Sequence, residues 1–359
     1  MHATPKSADA ATVAIDLAKD VFELAFADAA YRVIERKRLT RKAFARVLAN
    51  HAPLHLVMEA CGSAHFWARH FERLGHRVTL LPAHQVRPYV LRRKTDRTDA
   101  DGLLEAMRCL QIRPVPIKTP EQQGVQGLHR IREHHKAQRT AAINAVRGLL
   151  REFGVVIPAG AAKVRAAVLA ALEDGENDLP MALRHALATV LDQIDTLEHA
   201  MADIETALRE FAARDVRSQR LQQAGGVGLL TATALSASIG DFERFASGRH
   251  LASALGLTPR EHSSGHQRRL GRITKRGDSY LRTLLIHGAR SMLVAAKAAC
   301  KKGAPLDRTQ QWVLGLAERL GHNKAAVALA NKTARRLWAA EHHGSTFDPD
   351  HRITRATAH

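Results

Sequence analysis

The chain has 359 residues, with 54 Lys+Arg against 35 Asp+Glu and a formal net charge of +19 at pH 7. Hydrophobic residues at 45% and charged residues at 25% make a globular composition and exclude a disordered chain; the length suggests two or three domains. Aromatics at 4% argue against a base-stacking surface as the main device, and three widely spaced cysteines (Cys61, Cys109, Cys300) exclude a zinc ribbon, a redox dithiol and a disulfide framework. Such cysteine usage fits a reducing cytoplasm. Residues 1–11 hold no apolar signal core, and no later apolar run reaches the ~20 residues of a membrane span. The expectation is a cytoplasmic protein, with no membrane partner, whose excess charge suits a polyphosphate such as DNA or RNA.

Residues 12–115 read as α/β. Thr12 to Asp16 is a short strand. Val21 to Phe26 alternates, with Phe22, Leu24 and Phe26 on one face and Val21, Glu23 and Ala25 on the other. Tyr31 to Glu35 is a weaker third strand, Arg41 to Ala49 a helix, and His55 to Glu59 a central strand buried on both faces. A helix follows over 62–74, a strand over 78–81 stopped by Pro82, and two helical stretches, the second starting near Asp96. Three consecutive strands, then helix, strand, helix, strand and helix, match a ribonuclease-H-like domain, a meander followed by crossovers, over residues 10–115.

Residues 120–215 show no strand pattern and read as long helices. Leu187, Val190, Ile194, Leu197, Met201, Ile204, Leu208 and Phe211 alternate spacings of three and four, a heptad seam. The seam either closes a dimer or packs on the helix around 128–153 of the same chain. Residues 218–342 are helical with Gly-rich turns, and 343–359 read as a polar, disordered tail.

Asp16 and Glu59 each end an apolar strand; if those strands are neighbours, the two acids lie ~5 Å apart. Side by side they repel unless a proton or a cation intervenes. Asp96 and Asp99 are three apart and share a helix face that continues as Leu103, Met107 and Leu110, the stripe expected to dock on the sheet; Asp101 points elsewhere, into solvent. Asp16, Glu59, Asp96 and Asp99 form a hard, all-oxygen set that prefers Mg²⁺ or Mn²⁺ to zinc. Two ions in such a set polarise a phosphate and stabilise both its entering and leaving oxygens. Lys94 and Arg92 flank the set and suit phosphate contact. Read one at a time, each acid also fits a turn or cap.

Thr258 to Gly277 carries few apolar residues. It holds Ser263 and Ser264, three glycines (Gly265, Gly271, Gly277) and the cations Arg268, Arg269, Arg272, Lys275 and Arg276. A serine among so many positive charges is a candidate nucleophile, needing a base or metal to activate it. It equally suits a DNA-contacting loop whose serines only hydrogen-bond phosphates. Upstream, Gly226-Val227-Gly228 entering a helix resembles a helix-hairpin-helix turn, whose free N–H groups meet a phosphate, or a plain helix connection. No P-loop is present, and His129, His134 and His135 lack metal-ligand spacing.

Taken in order, Ala14-Ile15-Asp16, Val57-Met58-Glu59-Ala60, the Lys94-to-Ala100 segment, the Gly-Val-Gly turn and Ser264-Gly265 resemble the DEDD transposases of bacterial insertion sequences, the bridge-RNA-guided recombinases. The resemblance spans nearly all of residues 12–340. It implies a RuvC-like N-terminal domain, a coiled-coil linker and a C-terminal transposase domain. It further implies an acidic tetrad of Asp16, Glu59, Asp96 and Asp99 binding Mg²⁺, and a nucleophilic serine at Ser264, with Ser263 the one-residue alternative. A structured guide RNA, donor and target DNA, and a homo-oligomer (dimer or tetramer) pairing one subunit's acids with another's serine are also implied. Two other functions stay open on the residues themselves: a nuclease or junction resolvase in which water attacks, and an inactive DNA- or RNA-binding protein.

Overall fold

The computed structural model describes residues 10–90, 96–265, 267–345, 347 and 348, with residue 96 described by its backbone alone. The chain divides into two compact units at Pro120/Glu121.

The first unit runs β1 (Thr12–Asp16), β2 (Val21–Ala27), β3 (Val33–Thr40), α1 (Arg41–Phe44), β4 (His55–Glu59), α2 (Ala64–Arg73), β5 (Arg77–Leu81), α3 (Ala83–Val86) and α4 (Asp96–Arg108). The strands form one sheet in the order β3-β2-β1-β4-β5. The first three make an antiparallel meander, and β4 and β5 join parallel to β1. Alternation sorts the side chains as the strand pattern predicts. Val13, Ile15, Phe22, Leu24, Phe26, Leu56 and Met58 pack on one face with Phe44, Trp67 and Phe71. On the other, the small residues Ala14, Ala25 and Ala27, with Val57, let α4 approach through Ala100, Leu103 and Leu104. Gly102 lies so close to Val90 that a Cβ there would stand 2.7 Å from its Cγ2.

Three sequence expectations need correction here. The third strand begins and ends later than Tyr31–Glu35. The Asp28 carboxylate accepts from the backbone N–H of Ala30 and Arg32, both at 2.9 Å, and holds a turn in which Tyr31 takes φ 63°. The ladder then continues to Thr40, because charged side chains are at home on an edge strand. The helix expected over 41–49 is regular only to Phe44 and continues as tight turns that keep Phe44 and Leu48 buried. Leu110 is 98% exposed, beyond the end of α4 at Arg108, so the docking stripe is Leu103 and Met107 joined by Ala100 and Leu104.

The second unit contains α5 (Pro120–Glu152), α6 (Val164–Glu173), α7 (Met181–Arg214), α8 (Val216–Gln222), α9 (Leu229–Ile239), α10 (Gly248–Ala254), β6 (Pro259–Glu261), β7 (Leu270–Ile273), α11 (Ser279–Lys301), α12 (Arg308–Leu320) and α13 (His322–His343). The heptad seam of α7 is used within the chain. Leu187, Leu191 and Ile194 pack with Ile143, Val146 and Leu150 of α5, and at the other end Leu208 and Phe211 pack with Val125. The helices are therefore an antiparallel pair, laced by Arg132–Glu205 at 2.6 Å and Arg139–Glu198 at 3.1 Å. Helices α8 to α13 close a second core around Leu235, Leu251, Leu285, Leu293 and Leu329. Part of the expected tail is packed: Phe347 lies against this core and under the Arg336 guanidinium. Residues 349–359 lie outside the described residues.

Candidate active site

The β1–β4 register pairs Ile15 with Met58, so Asp16 and Glu59 occupy the next positions on adjacent parallel strands, as the strand reading required. Alternation puts both on the face that α4 covers, with Ala14 and Val57. Asp99 is half-buried on α4, one turn before Leu103, whose side chain packs on that same face. Asp96 opens α4, and its side chain lies outside the described residues, as do Lys94 and Arg92. Asp101 diverges from the stripe as expected, but it is paired, accepting from Arg36 of β3 at 2.5 Å.

The chemistry of this edge suits a hard cation. Its side chains are carboxylates with no soft ligand interleaved except Cys61. That thiol is held in its neutral form, first by burial and then by the negative field of Glu59 and Asp16. Among the described residues no three His, Cys, Asp or Glu side chains stand close enough to hold a metal ion by themselves. The fourth acid, Asp96, is not among those side chains. Glu23 of β2 pairs with Asp16 in the antiparallel ladder and extends the acidic row by one strand. Alternation along β2 puts Glu23 on the face opposite Phe22, Leu24 and Phe26; only the ladder register shows that it neighbours Asp16.

The segment read as a basic loop is an antiparallel β-ribbon, a correction to the sequence reading. Strand β6 pairs with β7, and the tip closes where Ser264 N–H donates to Gln267 O at 3.3 Å and Gln267 N–H donates back at 3.2 Å. Gly265 sits in the tip at φ 55°, a backbone conformation that favours glycine. His266 lies outside the described residues. The two serines differ. Ser263 Oγ donates to Glu261 Oε1 at 2.7 Å and accepts from Arg269 N–H at 3.1 Å, tying one strand to the other. Ser264 Oγ has no hydrogen bond to a described residue, and its side chain is exposed. Arg268, Arg269, Arg272, Lys275 and Arg276 are all exposed, and Arg268 stands 3.9 Å from Glu261.

The base of the ribbon is tightly packed. A Cβ at Gly277 (φ 71°) would stand 1.8 Å from Ala254 O, and one at Gly256 (φ 67°) 2.3 Å from Arg276 O. Arg282 of α11 donates to the carbonyls of Leu255 and Arg276 at 3.1 and 2.9 Å. Asp278 caps α11 through the N–H groups of Tyr280 and Leu281. At the Gly-Val-Gly turn, Gly226 (φ 80°) is in backbone contact with Gly288 of α11, so packing already accounts for it. Gly228 begins α9 with open space around it.

Comparison with known proteins gives the family. A DEDD-type family model described as "Transposase" matches residues 13–155, and one described as "Transposase IS116/IS110/IS902 family" matches residues 218–303. The chain is similar to the "Probable family 20 transposase" of Pseudomonas aeruginosa, 43% identical over 331 residues that cover 91% of this chain and 95% of that protein. It is 39% identical over 331 residues to the "Transposase for insertion sequence element IS1111A" of Coxiella burnetii (92% and 89% covered). To the "Transposase for insertion sequence element IS1328" of Yersinia enterocolitica it is 34% identical over 335 residues (93% and 98% covered). An α/β unit edged with acids, a helical unit carrying a basic ribbon, and these relatives define a DNA transposase. The chain belongs to the IS110/IS116 family of insertion-sequence transposases.

Proposed function

We propose that the chain cuts and rejoins DNA through a covalent phosphoserine link, with Ser264 as nucleophile and Asp16, Glu59, Asp96 and Asp99 as ligands of Mg²⁺ (or Mn²⁺). The observation that carries the choice of serine is the ribbon tip. Ser263 is consumed in a cross-strand clamp, whereas Ser264, one residue on, offers a hydroxyl with no hydrogen bond to a described residue, beside a turn glycine and five exposed cations. Meander and crossover order support a ribonuclease-H-like first domain over 10–115, with a helical linker over 120–215 and a transposase domain over 218–342. Bound divalent ions would supply charge neutralisation at the scissile phosphate.

This chain's own groups do the rest. Ser264 Oγ bonds to phosphorus as the bond from phosphorus to the leaving sugar oxygen breaks. The hydroxyl proton is lost from Ser264, and the sugar oxygen gains one. The phosphodiester is kept as a serine ester, so resealing needs no nucleotide. Arg268, Arg269, Arg272, Lys275 and Arg276, with Lys94 and the N–H groups at Gly226 and Gly228, would hold neighbouring phosphates of donor and target DNA. Acids and serine belong to different units. A homo-oligomer, dimer or tetramer, is the means by which the resemblance brings both to one phosphate. A structured guide RNA is the partner that would choose the target by base pairing. No helix among the described residues is long and apolar enough to cross a membrane, which is compatible with a cytoplasmic site of action.

The test is a denaturing gel of the full chain incubated with Mg²⁺ and DNA carrying the ends of its own insertion sequence. The expected result is a protein–DNA adduct lost in Ser264→Ala and in Asp16→Asn, retained in Ser263→Ala, with nucleic-acid binding kept in all three. Cleaved DNA without an adduct would identify water as the nucleophile. Binding without cleavage in the parent chain would mean an inactive DNA- or RNA-binding protein. Sequencing the nucleic acid that copurifies tests the guide: a discrete RNA encoded beside the gene is expected.

A further inference from the structure

The edge of the sheet that carries the acids does not end with them. On the face covered by α4, the ladders set Asp16 beside Glu23 and Glu23 beside Arg38 of β3, while Glu59 flanks Asp16 on the other side. The row therefore runs cation, acid, acid, acid across four strands. At about 4.8 Å per strand, the Arg38 backbone lies about 10 Å from that of Asp16.

Several neighbouring cations of β3 and its flanking turns are committed. Arg32, in the turn before β3, is held by Asp28 at 2.9 Å, Arg36 by Asp101 at 2.5 Å and Lys37 by Glu35 at 3.4 Å. Lys37 also points to the opposite face, over the Phe26 ring. Arg41 donates to Lys19 O and stacks on Trp67. Arg38 is exposed and makes no ion pair or hydrogen bond to a described residue, although Glu23 stands directly across the ladder.

We propose that Arg38 grips a backbone phosphate of the strand being cut, on the side of the scissile bond that passes over β3. The proposal rests on the acids being the cleavage site. Three carboxylates in a row repel the phosphates flanking the one they act on, and a guanidinium at the end of the row offsets that repulsion with a two-pronged contact. At about 3.4 Å of rise per nucleotide, the 10 Å between Asp16 and Arg38 spans about three nucleotides.

The experiment measures cleavage by the full chain, with its copurifying nucleic acid, of DNA carrying the ends of its own element. A methylphosphonate replaces, one at a time, the phosphates one to five positions from the scissile bond on each side. Arg38→Ala is expected to raise KM about tenfold with a smaller change in kcat. It should flatten the log–log salt dependence of binding by about 0.7–0.9, the share of one phosphate. Arg38→Lys should restore most of the affinity, and Lys37→Ala, on the other face, should leave both quantities unchanged. One methylphosphonate, two to four positions from the scissile bond, should weaken the parent chain yet add nothing to Arg38→Ala. An unchanged KM and salt slope in Arg38→Ala, or equal sensitivity of both proteins at every methylphosphonate position, overturns the contact. Asp16→Asn separates the underlying reading: full cleavage by that variant removes the acids from the reaction, while the methylphosphonate map still decides whether Arg38 meets a phosphate.

Discussion

His129 shows how a single side chain spans three helices. It is 3% exposed on α5, between α9 and α11. Thr233 Oγ1 donates to Leu229 O, so it accepts from His129 Nε2–H at 3.0 Å, and Nδ1 is left to accept from Tyr280 Oη at 2.9 Å. The ring is neutral, its pKa lowered to about 4 by burial first and by Arg132 second, while burial pushes the Tyr280 hydroxyl up to about 12. Protonation would turn Nδ1 into a donor and force the Tyr280 hydroxyl to accept from it. In the unfolded chain the imidazole titrates at the ordinary value of 6.5, so between pH 6.5 and 4 the unfolded state binds more protons. The contribution of His129 is full above pH 6.5, falls as pH drops towards 4, and amounts to about 3 kcal/mol at most. Urea titrations at pH 7.5 and 5.0 should show a fall in stability that is smaller in His129→Gln than in the parent chain. Equal falls in the two proteins would assign the pH effect elsewhere.

At the scale of elements, backbone approach and helix ends decide more than surface charge. Gly226 and Gly288 touch so closely that a methyl group on Gly288 would meet Gly226 O at 1.8 Å. Gly288→Ala must push α11 away from the α8–α9 turn, and a loss of about 2–4 kcal/mol is expected in a urea titration, whereas Gly315→Ala, at an open position inside α12, should gain up to about 1 kcal/mol. Arg184, in the first turn of α7, closes the end of α6. Its guanidinium donates to the carbonyls of Ala171, Leu172, Asp174 and Leu179 and to Asn177 Oδ1, at 2.5–3.1 Å. Orphan helix carbonyls thereby find partners that no water need supply. Arg184→Lys keeps the charge but loses the planar fork, and should cost about 1–3 kcal/mol. Thermal melts that coincide for Arg184→Lys and the parent chain would show the carbonyls to be satisfied without it. By contrast, removing the exposed Glu105–Arg108 pair should change little.

At the scale of the molecule, each hydrophobic core formed by the described residues draws its members from one unit. Calorimetry should therefore resolve two unfolding transitions. Phe71→Ala, which empties a fully buried position in the first unit, should lower one of them by the equivalent of about 3–5 kcal/mol and leave the other in place. A single transition that moves as a whole would mean the units melt together.

The chain itself determined the elements and the acidic positions, because those rest on local periodicity. Strands at 12–16, 55–59 and 78–81 announce themselves by apolar runs, and Asp96 and Asp99 share a helical face by spacing alone. What neighbours what was decided only in three dimensions. The β-ribbon is not legible in the sequence because its strands are short, exposed and almost without apolar alternation. Its pairing comes from backbone hydrogen bonds, the Ser263 clamp and the glycines at its base. The heptad seam was equally good for two partners, and only the facing residues of α5 selected the one inside the chain. Glu23 and Arg38 carry no motif. They enter the row with Asp16 solely through strand register, a long-range property that periodicity along the chain does not encode.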